Sequence, residues 1–493
     1  MDVASGRPVA GSGLRVRAAR GTVVNAAFLM GIHSLALLRG FLVAAFLTTT
    51  QYGVWAVVLV VLLTLAFLKQ VGIGEKYIQQ DEADQELAFR RALTLELGLA
   101  GIAGLVGLAF IPLLAAVLGT PQVVGPALVA LLVLPAQALQ APLWIFYREL
   151  DFVRQRKLQA VDPIAGFVLG VALLVAGAGV WALVIGVVAG AWLGAIVAMR
   201  ASPYRLGLAF ERETLRTYAA FSWPLLLSGG AAVATGQGLV LVGEATLGLA
   251  GVGLIALTAT ISQYAMRADE AVTHTIYPTI CAVKDRADLL WETFVKSNRL
   301  ALMWGAPFGL GLALFASDLV TFGIGERWRP AVVLMQAVGV AVAVHQIGFN
   351  WDAFYRARAQ TRPIAVAGLV AIASFLAIAL PALALWGLPG LAVAMLILEV
   401  INLAVRSYFL RRLFASFAVL RHAARALLPS VPAVGAVLAL RAVAGPAGSL
   451  VEALAVLAVY LLVTALATAV AERALLREVV AYLRGRPATL ATP

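Results

Sequence analysis

The chain has 493 residues, 62% of them hydrophobic and only 13% charged, with a mean hydropathy of +0.95. Soluble domains hold roughly 45–50% apolar and about 25% charged residues, so a soluble fold is excluded and an all-α, polytopic membrane protein is expected. The net charge of +12 needs an account other than nucleic acid if the basic residues prove to be sorted by membrane side, and the one cysteine, Cys281, excludes a disulfide framework or a cysteine-cluster metal site.

Arg7, Arg15, Arg17 and Arg20 precede the first apolar run, which is too long for the 7–15 residues of a signal-peptide core and is expected to stay as the first span. Apolar runs between charged or Gly/Pro punctuation give about fourteen candidate spans, each able to cross a core of about 30 Å. They lie at 22–47, 52–74, 92–118, 122–146, 160–178, 180–199 and 218–242, then at 249–283, 299–317, 330–355, 363–383, 386–409, 426–443 and 450–471. With the N-terminus inside, 31 of the 37 basic residues fall in inner segments; Arg327, Arg329 and Arg441 fall outside, and Arg39, Lys69 and Arg267 lie within spans. That asymmetry predicts cytoplasmic termini and assigns the positive charge to orientation and to anionic headgroups, with no nucleic-acid partner. Outer connections are short; the inner segments from Glu75 to Arg91 and Ala201 to Thr217 read as surface helices. Gly166 and Gly170, then Gly186, Gly190 and Gly194, form small-residue faces, better explained by packing within the chain than by dimerisation.

The eighth span carries the densest polar pattern. Gln263, Arg267, Glu270 and His274 are spaced by four, seven and eleven residues, one helical face at about 100° per residue, and Tyr277 continues it. Charge at membrane depth normally faces a bundle interior or a watery cavity, so the stripe is expected to bind substrate; snorkelling of Arg267 to the headgroups is the competing reading, and Asp269 is a local counter-ion in either. Arg39 shares a face with Asn25 in the first span, and Lys69 near the inner end of the second suits cavity lining or snorkelling alike. Asp269 and Glu399 are the candidates for ion coupling, although Glu399, with Arg406 seven residues on, also suits a buried packing pair. Asp352 and Arg356 read as a helix pair, and His345 as a hydrogen-bonded interior residue. The four histidines show no metal-ligand spacing, and no nucleotide-binding or hydrolase motif occurs, so neither cofactor nor catalysis is expected.

Leu38-Arg39-Gly40 through Tyr52-Gly53, Leu68 to Gly74, Gln79, Arg148-Glu149-Leu150-Asp151-Phe152, Gly179-Val180-Trp181-Ala182-Leu183, Pro278 and Gly325-Glu326-Arg327-Trp328 occur in an order that resembles bacterial polysaccharide flippases of the multidrug/oligosaccharidyl-lipid/polysaccharide exporter superfamily. The similarity runs over roughly residues 20 to 420. It implies two pseudo-symmetric six-helix lobes around a central cavity, 22–217 and 218–424, with peripheral helices in 425–471 and tails at 1–21 and 472–493. It further implies an undecaprenyl-pyrophosphate-linked oligosaccharide moved to the outer leaflet of the bacterial cytoplasmic (inner) membrane, for exopolysaccharide or O-antigen synthesis. Membrane lipids, and the polymerase and export machinery of the pathway, are the implied partners. In related lipid II flippases cations on the first, second and eighth helices line the cavity, and Arg39, Lys69 and Arg267 occupy those helices here. Thr235, Gln237 and Gly238 stand in the seventh span where relatives often carry Arg and Asp. A lipid II flippase and a drug/cation antiporter are the alternatives; a glycan polymerase would need larger outer loops.

Overall fold

A computed structural model describes residues 28, 31, 32, 34–69, 73–149, 151–358, 360, 362–418, 421, 424 and 427–477, with the backbone alone at 68, 69, 75, 79, 219–236, 267, 268, 270, 271, 274, 275, 278, 279 and 282. The described chain is helical and holds no strand. It forms two compact units, one running to Ala256 and the other from Leu257.

The first unit begins with α1, Ser34–Phe46. There follow α2 (Thr49–Lys69), α3 (Ile73–Gln79), α4 (Gln85–Leu118), α5 (Val124–Ala130), α6 (Val133–Ala138), α7 (Leu143–Arg148), α8 (Phe152–Gln159), α9 (Val161–Val175), α10 (Val180–Ala201) and the first part of α11 (Arg212–Ala282). Local chemistry sets the ends. Asp84 caps α4 by accepting from the Leu87 N–H at 2.9 Å, and Gly119, at φ 71°, closes it in the left-handed region. Asp151 caps α8 by accepting from Arg154 N–H.

The glycine faces of α9 and α10 meet each other. A Cβ on Gly186 would stand 2.9 Å from the Gly166 carbonyl oxygen, and one on Gly190 would stand 2.6 Å from that of Asp162, so the backbones touch where a side chain would hold them apart. A tighter crossing joins α2 to α11, where a Cβ on Gly53 would fall 1.8 Å from the Leu249 carbonyl oxygen and one on Gly253 2.1 Å from that of Thr49. Gly248, at φ 68° and ψ 179°, breaks α11 just before this crossing.

The inner connections depart from the expected surface helices. In the first, α3 is a helix, but Tyr77 and Phe89 are fully buried against Ile145, because their rings stack edge to face rather than face a membrane surface. In the second, residues 202–211 are not helical. Pro203 stops α10, and the backbone at Gly207 passes so close to the Arg90 guanidinium that a Cβ there would lie 2.4 Å from its Nη2.

The second unit holds the rest of α11, then α12 (Ala287–Asp318), α13 (Val332–His345), α14 (Trp351–Ala357), α15 (Arg362–Ser374), α16 (Leu380–Leu413), α17 (Val431–Ala444) and α18 (Leu450–Ala471). α12 and α13 cross at Gly309 and Gly339, each of which faces the other's carbonyl oxygen. α16 breaks at Gly387, φ 63°. α17 and α18 are fastened to α12 at two points: Arg441 pairs with Asp318 and donates to the Leu314 carbonyl at 2.7 Å, while Arg299 pairs with the buried Glu472. Between these clasps the Tyr460 hydroxyl donates to the Pro307 carbonyl at 2.7 Å.

Ten helical stretches among the described residues are long and apolar enough to cross a membrane; two of these stretches contain the breaks at Gly248 and Gly387, and two shorter apolar helices, Ser34–Phe46 and Leu428–Ala444, accompany them. The chain is a multi-pass membrane protein.

Candidate functional site

The residues of the sequence-derived site fare unequally. Asn25 lies outside the described residues, and Lys69 closes α2 with only its backbone described. Arg267, Glu270 and His274 likewise lie on described helical backbone, so the expected helical face exists, but their side chains lie outside the described residues. Gln263 is exposed on that face.

Arg39, in α1, is half-buried and exerts its charge on Asp162 at the start of α9. Asp162 is held from the other side by the Gln140 amide, which donates to its Oδ2 at 3.1 Å and to the Ala191 carbonyl at 3.2 Å. A membrane-depth cation thus stands near an anchored carboxylate, which lowers the cost of keeping it charged while leaving it able to meet an anionic ligand.

The second unit gathers a denser polar centre. The tenth apolar run is not one helix. α13 stops at His345, residues 346–350 turn through Gly348 at φ 73°, and α14 resumes at Trp351. Backbone freed by such a break must be satisfied internally at this depth. Asn298 of α12 does so: its Nδ2 donates to the Gln346 carbonyl at 2.8 Å, and its Oδ1 accepts from the Gly348 N–H at 3.2 Å. Asn350 Nδ2 donates to Ser297 Oγ at 2.9 Å. Arg406 of α16 caps the end of α13, its Nη1 donating to the His345 carbonyl at 3.0 Å and its Nη2 to Glu399 Oε1 at 2.6 Å. The other Glu399 oxygen lies 3.3 Å from His345 Nδ1.

One sequence expectation changes here. Arg406, assigned to the inner positive segments, is 4% exposed inside the helix bundle, since pairing with Glu399 makes its burial affordable. Asp269, expected as a local counter-ion, is 5% exposed, close to Gln346 and within reach of the Arg406 charge, while the Arg267 side chain lies outside the described residues. His345 is the hydrogen-bonded interior residue expected, and Asp352 pairs with Arg356 at 3.1 Å one helical turn on.

Beside the break lies a cavity of about 500 Å³ lined by Met266, Asp269, Thr273, Tyr277, His345 and Asn350, with the Arg356 guanidinium 5.8 Å above the Tyr277 ring. Sequence reasoning missed Ser297, Asn298, Gln346, Gly348 and Asn350. The available signal was the six-residue string His345-Gln346-Ile347-Gly348-Phe349-Asn350, three amide or imidazole side chains and a glycine inside an otherwise apolar run.

The model of the polysaccharide biosynthesis protein family matches residues 42–333, more than half of the chain. The chain belongs to that family. Among solved structures it is similar to the lipid II flippase MurJ in an inward closed conformation, with a TM-score of 0.70 and 13% identity over 92% of this chain and all of that one. It is also similar to an inward-facing multidrug resistance MATE family transporter of the MOP superfamily, with a TM-score of 0.58 and 15% identity over 80% of this chain and all of that one. At these identities the likeness is one of fold. No curated protein sequence matches. The expected polysaccharide family is therefore established for this chain, and the described residues have the expected helical fold, shared with these two structures.

Proposed function

We propose that this polysaccharide biosynthesis protein flips an undecaprenyl-pyrophosphate-linked oligosaccharide repeat unit from the inner to the outer leaflet of the bacterial cytoplasmic membrane, by alternating access, for exopolysaccharide or O-antigen synthesis. The observation that carries this reading is the presence of basic residues at depth in the first, second and eighth expected spans, Arg39, Lys69 and Arg267, with Arg39 half-buried near a carboxylate anchored by Gln140. A pyrophosphate crosses hydrocarbon only with compensating cations, and few other group transfers need a cation in each of three membrane helices. Gln263, Glu270 and His274 share the Arg267 face, and Asn25 shares that of Arg39.

Fourteen passes in two lobes, 22–217 and 218–424, followed by two further helices, are part of this proposal. The breaks at Gly248 and Gly387 support it, since each lets one long helical stretch serve as two passes. Both termini lie in the cytoplasm under the same proposal, supported by the inner bias of basic residues. The polymerase and export machinery would take the repeat unit onward.

The test is accumulation of lipid-linked repeat units on the inner leaflet of cells expressing each variant at equal level. Arg39→Ala and Arg267→Ala should both block export; full export by both abandons the cavity assignment. A lipid II flippase is the second reading, favoured by the likeness to MurJ along nearly the whole chain, and rescue of a lipid II flippase-depleted strain would select it.

A further inference from the structure

Two connections of the second unit meet away from the polar centre. One joins α11 to α12 and holds Lys284 and Asp285; the other joins α14 to α15 and holds Arg358 and Gln360. Arg358 ties them together, its Nε donating to the Lys284 carbonyl at 3.1 Å. The helix ends that carry both connections share one apolar cluster, in which Ile280, Leu290 and Phe354 are fully buried and Phe294 meets Phe354 edge to face at 5.5 Å. The connections are therefore held in place by packing.

Between them lies a cavity of about 350 Å³ lined by Lys284, Asp285, Arg358 and Gln360, a wholly polar set. Its polar groups are unspent. Among the described residues the Lys284 ammonium, the Asp285 carboxylate and the Gln360 side-chain amide have no hydrogen-bond or ion-pair partner, and the bond to the Lys284 carbonyl uses one N–H of a guanidinium that has several. Arg356 nearby is different, for it pairs with Asp352 at 3.1 Å and lies over the Tyr277 ring. The cavity thus sets two free cations beside one free carboxylate where apolar runs end, the level at which lipid headgroups lie.

That charge pattern selects among headgroups. A phosphodiester alone suits Lys284 and Arg358 but sets its charge against Asp285, and a quaternary ammonium brings Asp285 no N–H to accept. A phosphodiester joined to a primary ammonium meets both demands at once.

We infer that this cavity binds the phosphoethanolamine headgroup of a membrane lipid, with Lys284 and Arg358 on the phosphate, Asp285 on the ammonium and Gln360 donating to a phosphate oxygen. The site lies within the second unit and does not rest on the flippase reading. A bound headgroup adds a second tie between the two connections, beside the hydrogen bond from Arg358 to Lys284.

The test is native mass spectrometry of the full-length protein released from nanodiscs that contain phosphatidylethanolamine, phosphatidylglycerol and phosphatidylcholine in equal amounts. The parent should retain phosphatidylethanolamine over both others. Asp285→Asn should lower the ratio of retained phosphatidylethanolamine to phosphatidylglycerol about two- to fivefold, the range set by an exposed ion pair, and Lys284→Gln should weaken retention of both. Equal retention of the two lipids by the parent overturns the inference, as does an unchanged ratio in Asp285→Asn. If Asp285→Asn is not recovered folded, stepwise N-methylation of the headgroup decides on the parent protein: retention should fall with the last methyl group, and retention that does not fall overturns the inference. Glycerophosphoethanolamine, the same headgroup without acyl chains, should fail to displace the lipid in molar excess; displacement overturns the assignment to a lipid in favour of a soluble phosphoethanolamine. None of these readouts depends on export, so loss of export with normal lipid retention would count against the flippase reading alone.

Discussion

Arg406 and Glu399, one on the next helical turn but one from the other in α16, meet at 2.6 Å, and the same guanidinium reaches across to the last carbonyl of α13. The pair is therefore both an internal charge balance and a joint between two helices. Arg406→Ala should destabilise the protein by about 3 kcal/mol or more, since it strands a buried carboxylate and uncaps α13. Pairing it with Glu399→Leu should recover much of that loss. The measurement is thermal unfolding of the purified single and double variants; a double variant no better than Arg406→Ala would show that the cap, not the charge pair, carries the stability.

The crossing of α2 and α11 leaves no room for side chains. Gly53→Ala and Gly253→Ala each place a methyl group against a backbone carbonyl and should cost about 1–3 kcal/mol or prevent monodisperse folding. Gly101→Ala, in α4, meets nothing within 4 Å and should be neutral or stabilising by up to about 1 kcal/mol. Size-exclusion profiles and unfolding midpoints compare the three, and an intact Gly253→Ala variant would refute the crossing.

Membrane sidedness is open to single cysteines introduced after Cys281→Ser. Cysteines at Thr49 and Gln122 should react with an impermeant maleimide on intact cells, and ones at Ala83, Arg205 and Ser416 should react only after permeabilisation. Labelling of the second set from outside would reverse the proposed orientation.

The cationic set can be read by its chemistry as well as by its removal. Arg267→Lys should keep part of the export lost in Arg267→Ala, because a point charge survives while the planar two-pronged donor is lost. Equal loss in both variants would point to a shape requirement. Lys69→Ala should weaken export less than Arg39→Ala if the ammonium reaches the headgroups.

Near Trp328 the pH response has a fixed sign. Hydrogen bonding from Arg329 holds the Glu326 carboxyl below the usual glutamate range. A carboxyl lowered on folding contributes above its unfolded value and loses that contribution as pH falls through its folded value. The fluorine resonance of 5-fluorotryptophan at the buried Trp328 should therefore hold steady down to the ordinary glutamate range, about pH 4.3, and shift only below it. Glu326→Gln should remove that shift, and a transition near neutrality would contradict it.

The sequence made the helices, the glycine faces of α9 and α10 and the Glu399–Arg406 pair legible, because each depends on spacing along one or two elements. The break at 346–350 was hidden because a hydropathy window averages Gln346 and Asn350 against the apolar residues around them, and because the residue that repairs the break, Asn298, lies 48 positions from Gln346. Arg406 was assigned to the inner segments by its position near the end of a run, and its second contact, with the His345 carbonyl of α13, could not be read from α16 alone. The non-helical course of 202–211 likewise involves a long-range neighbour, Arg90, together with the local stop at Pro203.

The clasps that hold α17 and α18 to α12 grip it at two separate points, Arg441 with Asp318 at its C-terminal end and Arg299 with Glu472 more than four turns before it. A beam pinned at two points cannot pivot on its support. Any tilt of α12 during a transport cycle is thereby handed undiminished to the last two helices, so a fluorophore fixed at the end of α18 would act as a pointer, magnifying small rotations of α12 into displacements large enough to watch in single molecules.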